Sequence, residues 1–375
     1  MKIVQLRKLK GQDWQSVTPF IELKEPLVMV FGDRKEFEEP RIYKAIEKFF
    51  PKGHVVFASS SGNVTSNSID EDCITITAVE FERSEFKVRT INLNDTELNS
   101  YKAGMELVNK LPKDKLKYIM VLSDGTFVNG SELTRGMNFV VDNHVLITGG
   151  LCSDDYRFQR TMVSYNENPK DGEIVGIGFY GDTLEVASST ESGWMPFGVE
   201  RTVTKSVGNI LYELDNKPAL NIYQKYIGDL SKNISAASMN YPLGVQEDDQ
   251  YYPRTILNIN KDYNAMFFAG DIPANSKVQF MMTNPAELIG ASIQTAKQAR
   301  EKMINEPKLA MFFSGLGRKQ FLDQRTIEEV LEVRDTIGKD VIISGFYSYG
   351  EIAPNNEENM CKLHNQSVAL TLISE

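Results

Sequence analysis

Four short segments rich in glycine and serine each follow a run of apolar residues. They are Ala58-Ser59-Ser60-Ser61-Gly62-Asn63, Thr148-Gly149-Gly150, Ser314-Gly315-Leu316-Gly317-Arg318 and Ser344-Gly345-Phe346-Tyr347-Ser348-Tyr349-Gly350-Glu351. Glycine lets a backbone approach a ligand closely, and successive free N–H groups form a concavity that receives a carboxylate or a phosphate. Ser59, Ser60, Ser61 and Gly62 have that composition, which an ordinary strand-to-loop turn shares. Arg318 is a cation at a glycine-rich strand end, suited to an acidic ligand group, and Glu351 suits a basic one. Tyr347 and Tyr349 alternate in strand register, which would turn both toward one side of a site. The candidate ligand-binding set is therefore Ser59, Ser60, Ser61, Gly62, Gly149, Gly150, Ser314, Arg318, Tyr347, Tyr349 and Glu351.

Nucleophilic chemistry is less well provided for. A hydrolase using Cys152 or Ser60 needs a base beside it, and the chain holds only His54, His144 and His364. No GxSxG elbow or P-loop is present. Cys152 reads better as a buried structural thiol, so no catalytic residue is assigned. His364, at the start of the final strand, is the histidine considered as a metal or haem ligand. Cys73, Cys152 and Cys361 are far apart and odd in number, which argues against a disulfide framework and a structural zinc site.

A recurring arrangement places these segments. Leu27 to Phe31 is a buried strand, a helically spaced stretch covers 42–50, and Val55-Val56-Phe57 runs into Ser59. Tyr118 to Leu122, a helix over about 130–142 and Val145-Leu146-Ile147 repeat the order. Leu309 to Phe313, a helix over about 324–337 and Val341-Ile342-Ile343 repeat it again. The three β-α-β units reflect either an internal duplication or the generic likeness of such units. Cys73–Phe81 with Phe86–Leu93, and Glu173–Tyr180 with Leu184–Thr190 across Gly181-Asp182, read as hairpins. Further strands are expected at 201–206 and near 251–259, 264–269 and 276–282, with helices over Pro218–Tyr226 and from the Asn284-Pro285 cap to about Asn305. Strands outnumber helices, so the expected fold is α/β of the mixed α+β kind: two domains of mixed sheets with helices packed on their outer faces. The boundaries read as an N-terminal extension over 1–24, an N-terminal domain over 25–228, a polar linker region over 229–250 and a C-terminal domain over 251–375.

Bulk properties agree with two globular domains. The chain has 375 residues, 41% hydrophobic and 25% charged. A formal charge of −10 argues against nucleic acid and anionic membranes as partners. No stretch approaches the roughly 18–20 apolar residues of a membrane span, and the first residues are too polar for a secretory leader. With the cysteine usage, the expected location is the cytoplasm.

Six of these segments, in order, resemble the FIST proteins (F-box and intracellular signal transduction) over roughly residues 25–375. Ala58-Ser59-Ser60-Ser61-Gly62-Asn63-Val64 is similar to the family's cysteine-serine-threonine-x-glycine-glutamate turn, and Ile147-Thr148-Gly149-Gly150-Leu151 to its double-glycine strand. Val203-Thr204-Lys205 through Gly208-Asn209, with Leu214-Asp215-Asn216-Lys217-Pro218-Ala219, resembles the close of the N-terminal domain. Phe312-Phe313-Ser314-Gly315-Leu316-Gly317-Arg318 is similar to the phenylalanine-serine-cysteine-x-glycine-arginine motif. Gly345-Phe346-Tyr347-Ser348-Tyr349-Gly350-Glu351-Ile352 resembles the glycine-glutamate motif, and His364-Asn365-Gln366-Ser367 the asparagine-x-threonine of the last strand. Gly315 stands where the family often has cysteine, and Asn63 where it often has glutamate. The resemblance implies a sensory module for a small polar ligand such as an amino acid. The signal would pass to a separate partner: a histidine kinase, a chemotaxis transducer or a cyclic-dinucleotide enzyme. No cofactor is expected on the main reading. The alternative is a haem-binding nitric oxide sensor with His364 or Cys152 as axial ligand.

Overall fold

Alternation along three pairs of parallel strands builds the centre of the molecule. The computed structural model describes residues 1–228, 239–247, 250–354 and 359–375. Leu27–Gly32 runs parallel to His54–Ser59, Leu116–Ser123 to Leu146–Leu151, and Leu309–Gly315 to Ile342–Ser348. In a strand, successive side chains point to opposite faces. Leu27, Met29 and Phe31 of the first pair, Tyr118, Met120 and Leu122 of the second, and Leu309, Met311 and Phe313 of the third all enter one shared core. The residues between them face outward. Val28 and Val30 pack with Phe37, Ile42 and Ile46 of the helices Arg34–Phe37 and Ile42–Glu47. Ile119 and Val121 meet Ser100–Asn109 and Gly130–Val140, while Ala310 and Phe312 meet Pro285–Glu301 and Thr326–Ile337. Helices thus cover the outer faces of mixed sheets, as expected.

Each parallel pair is extended the same way. On one side lie two antiparallel strands: Cys73–Glu80 then Lys2–Leu9 in the first sheet, Glu173–Tyr180 then Glu85–Asn92 in the second, Val368–Ser374 then Glu185–Glu191 in the third. On the other side lies a strand lent by another unit. Asn63–Thr65 leaves the first sheet to pair with Ile342–Ser348 of the third. Gly350–Pro354 leaves the third to pair with Leu146–Leu151 of the second, and Val163–Tyr165 leaves the second to pair with His54–Ser59 of the first. The exchange closes in a ring, which gives the three β-α-β units a common plan.

Several local expectations change for this reason. Cys73–Glu80 and Glu85–Asn92 are not a hairpin, and neither are Glu173–Tyr180 and Glu185–Glu191. Each pair splits between two sheets at the turn, because consecutive strands wrap a corner of the shared core. Lys2–Leu9, in the stretch expected as an extension, pairs along its length with Cys73–Glu80 and so completes the first sheet. Within the expected linker, Leu243–Glu247 pairs on both sides, with Gln250–Arg254 and with Lys277–Met282; residues 229–238 and 248–249 lie outside the described residues.

A fourth sheet, of eight strands, is inserted between Glu185–Glu191 and the helix Pro285–Glu301. It includes Met195–Val207, Ile210–Leu214 and Lys277–Met282, and has its own core with the helix Ala219–Ile227. Asn284 caps Pro285–Glu301 by accepting from the Glu287 N–H at 3.1 Å, with proline at the first helical position. No helix among the described residues is long and apolar enough to cross a membrane.

Candidate functional site

The second strand of each parallel pair ends beside the next unit, and there the three chain segments tie together. Ser61 N donates to Tyr347 O, Ser153 N to Ser59 O, and Tyr349 N to Leu151 O, each at 3.1 Å. Each bond joins a residue one or two beyond a strand end to the last or next-to-last residue of a strand in another unit. The side chains follow the same plan: Ser60 Oγ donates to Asn63 Oδ1 at 2.5 Å, and Ser348 Oγ to Glu351 Oε1 at 2.7 Å. Asn63 is thus the counterpart of Glu351.

The strand ends singled out from the sequence do converge, but they are interior. Ser59, Ser60, Ser61, Ser314, Tyr347 and Glu351 are all at most 1% exposed. Ser59 Oγ accepts from Met162 N at 2.9 Å. Ser61 Oγ accepts from Asp155 N at 2.7 Å, and its carbonyl accepts from Lys319 Nζ at 2.6 Å. Gly62 has φ +128°, a conformation that favours glycine, and its carbonyl accepts from Tyr347 N at 3.0 Å. Gly149 serves packing: a Cβ there would stand 1.8 Å from Val121 O. Gly345 is its counterpart, with Phe312 O at 1.7 Å, and the Gly150 position faces the rings of Phe313 and Phe346. Gly315 is also tightly fitted: a Cβ there would stand 3.0 Å from the Gln366 backbone, so a cysteine would require that backbone to give by a few tenths of an ångström.

Arg318 has no open face. It is fully buried, and its guanidinium donates to Ser192 O at 2.5 Å, Leu288 O at 2.8 Å and Ser292 Oγ at 2.8 Å. It also pairs with Glu329 at 3.4 Å, and Ser314 Oγ donates to the same carboxylate at 2.7 Å. Removing one partner of such a pair costs about 3–5 kcal/mol, so Arg318 binds the third unit together. Tyr347 and Tyr349 do not share a side. The Tyr347 ring packs edge-on against Phe312 in the helix-covered core, whereas Tyr349 stacks on Phe158 with centroids 4.6 Å apart. The Glu351 carboxylate accepts from Ser348 Oγ, from Ser367 Oγ at 2.5 Å and from Ser367 N at 3.1 Å. Burial pushes its pKa up to about 7 against those hydrogen bonds and the nearby Arg318 charge.

The crossover after the second unit, from Leu151 to Val163, is longer than its two counterparts and lies over them. Its Asp155 N reaches Ser61, its Asp155 carbonyl accepts from Tyr349 OH at 2.7 Å, and its Phe158 N donates to Tyr349 OH at 3.1 Å. Arg157 pairs with Asp33 at 2.7 Å and Asp155 at 2.6 Å, and Arg34 with Asp154 at 3.4 Å. Asp155 (φ +58°) and Phe158 (φ +49°) hold the left-handed region, a strain of about 1–3 kcal/mol each that clusters at binding and switch segments. Beside this strap opens a cleft of about 470 Å³, lined by Ile69, Glu71, Tyr156, Lys319, Asp323 and Gln324 among others. Lys319 stands at its base between Ser61 and Glu71, which it meets at 2.5 Å. Lys319, Glu71 and Tyr156 were not singled out in the sequence. The available signal was Lys319 itself, next to Arg318 in the same glycine-rich segment.

Neither alternative chemistry finds its parts assembled among the described residues. Cys152 is fully buried, and burial, reinforced by Asp124, raises its thiol well above the ordinary value. His54 Nδ1 is bonded to Tyr165 OH at 2.6 Å, and His364 Nε2 to Ala353 O at 3.1 Å, so neither attends Cys152 or Ser60. His364 lines a cavity of about 130 Å³, far too small for a porphyrin. No group of three or more His, Cys, Asp or Glu among the described residues is arranged to hold a metal ion. Gly176-Ile177-Gly178-Phe179-Tyr180-Gly181 has dinucleotide-loop spacing, but its first five residues lie in a strand paired on both sides rather than in a strand-to-helix turn.

Comparison with known proteins gives partial and full-length likenesses. A protein of Methanocaldococcus jannaschii described as uncharacterised is 27% identical over 172 residues, covering 41% of this chain and 33% of that protein. The match spans about a third of that relative's length. A solved structure described as "Cyanuric acid hydrolase: evolutionary innovation by structural concatenation" aligns at TM-score 0.31 and 8% identity over 93% of this chain and 90% of that one, a score too low to carry an argument. Two family models match in succession, the FIST N domain over residues 26–217 and the FIST C domain over residues 219–354. The chain therefore belongs to the FIST family, whose two mixed α/β domains are typically non-catalytic modules implicated in signal transduction and sensing.

Proposed function

We propose that this protein senses a small polar ligand, with amino acids the first class to test, bound in the cleft between the strap and the helix Leu316–Leu322. The observation that carries this reading is the make-up of the cleft. Ile69, Glu71 and Tyr156 come from the N-terminal family region, and Lys319, Asp323 and Gln324 from the C-terminal one. Lys319 would take a ligand carboxylate, and Glu71 or Asp323 an ammonium. A ligand that drew Lys319 away from the Ser61 carbonyl would reach the tie between the first and third units, and so bias their arrangement. Ser61 holds Lys319 through its carbonyl. Ser59, Ser60, Gly62, Ser314, Tyr347, Tyr349 and Glu351 would act behind the lining rather than in it, and Arg318 acts through packing. The response would pass to a separate signalling partner.

Titration calorimetry with a panel of amino acids is expected to give saturable binding for at least one, weakened at least tenfold by Lys319→Ala. Unchanged affinity in that variant would remove Lys319 from the site, and no binding across the panel would exclude amino acids as the ligand class.

A further inference from the structure

A second cavity, of about 130 Å³, lies where the inserted sheet meets the body, beside Ser192, whose carbonyl accepts from Arg318. Its lining includes Glu191, Tyr251, Tyr252, His364, Asn365 and Ser367. The hydrogen bonding of these groups is lopsided. Tyr251 OH donates to Glu200 at 2.8 Å, Ser367 Oγ donates to Glu351, and Asn365 Nδ2 donates to His364 O at 3.1 Å. The acceptors are less engaged. Asn365 is 1% exposed and its Oδ1 has no partner. Among the described residues, the Glu191 carboxylate takes one hydrogen bond, from Gln298 at 3.0 Å.

His364 adds a third acceptor. Its Nε2 faces the Ala353 carbonyl at 3.1 Å, so that nitrogen must carry the proton. Burial, together with the charges of Arg254 and Lys362, pulls its pKa down to about 4, so the ring is neutral and Nδ1 is left as an acceptor. Arg254 and Lys362 both pair with Glu247, at 3.5 Å and 3.1 Å, which offsets their charge. Tyr252 lies against His364 with ring centroids 5.8 Å apart and adds an aromatic wall. A water's share of liquid volume is about 30 Å³, so the cavity holds roughly four such groups.

We propose that this cavity binds a small primary ammonium compound through Glu191, Asn365 Oδ1 and His364 Nδ1. An R–NH₃⁺ group has three N–H donors and no acceptor of its own, which suits these three acceptors. The site is separate from the cleft at Lys319. It adjoins Ser367 and Ser192, whose other contacts are Glu351 and Arg318, so an occupant would also press on the buried charges of the third unit.

The test uses the full chain at pH near 7.5, with ethylammonium as probe and tetramethylammonium as a cation without N–H donors. Calorimetry is expected to show saturable one-to-one binding of ethylammonium at millimolar concentrations and none of tetramethylammonium. Glu191→Gln should weaken it at least tenfold, which separates this site from the cleft, whose lining does not include Glu191. In the unaltered protein, the ¹⁵N resonance of His364 Nδ1 should move on titration, a readout that does not depend on any variant folding. No saturation with ethylammonium, equal binding of tetramethylammonium, or an unmoved His364 signal would each overturn the proposal.

Discussion

Glu351 and Asn63 occupy matching places, each bonded to the serine three residues before it, yet only Glu351 ionises. Its pKa rises from the ordinary 4.5 to about 7 in the fold, chiefly through burial. A carboxyl raised in this way binds its proton more tightly folded than unfolded. Its stabilising contribution is complete below the unfolded value and is lost as pH climbs through about 7. The size is on the order of 3 kcal/mol between pH 4.5 and pH 8. Urea unfolding across that range should show Glu351→Gln with a flatter profile than the unaltered protein and a relative gain at high pH. Parallel profiles would mean that Glu351 does not carry this titration. At this scale the sequence was partly legible. Glycine and serine composition marked the strand ends, but it did not say whether they face solvent or one another. Arg318 shows why: its partners Ser192, Leu288 and Glu329 come from three separate segments, so its burial depends on long-range packing.

Among the elements, an unbroken apolar run was readable wherever a strand is buried on both faces, between the central core and a helix, as in Leu27–Gly32 and Leu309–Gly315. Sheet membership was not. Gly181-Asp182 does turn the chain, but a turn signal cannot reveal that Glu173–Tyr180 and Glu185–Glu191 continue into different sheets. The double glycine of the second unit has a clear physical meaning once the strands are placed. Gly149 and Gly345 let the second strand of a parallel pair close against the carbonyls of the first, Val121 O and Phe312 O. Gly149→Ala would need backbone displacement, which for overpacked cores costs about 1–3 kcal/mol and sometimes more. A Tm at least several degrees lower is the expected outcome by differential scanning calorimetry, and an unchanged Tm would show that the strand pair yields freely. Phe57, paired with Val30, fills the corresponding place in the first unit, so that unit accommodates a side chain there.

For the whole molecule, the two family regions are more entangled than their boundaries suggest. Asn63–Thr65, in the FIST N region, completes the sheet built by Leu309–Gly315 and Ile342–Ser348, and Gly350–Pro354 of the FIST C region completes the sheet of Leu146–Leu151. The shared core also takes Met29, Met120 and Met311 from all three units. A fragment of residues 1–217 would expose one wall of that core and leave Asn63–Thr65 without its neighbour. It should be insoluble or lack cooperative unfolding when produced alone, and recover a folded complex when produced with 218–375. A monomeric 1–217 fragment that unfolds cooperatively by itself would show that the regions are independent. The division of the chain into two regions was legible in motif order, whereas the cyclic lending of strands depends on contacts hundreds of residues apart.

The long strap from Leu151 to Val163 carries one more consequence. Three units on a common plan would offer a ligand three equal addresses, and a response averaged over them. Because only the second unit has the longer crossover, Tyr156 and the Asp155–Arg157 pair fall beside just one of the three junctions. The degeneracy is lifted by a single loop. On the proposed reading one ligand would bind at the cleft per chain, and a calorimetric stoichiometry near one is the expected outcome.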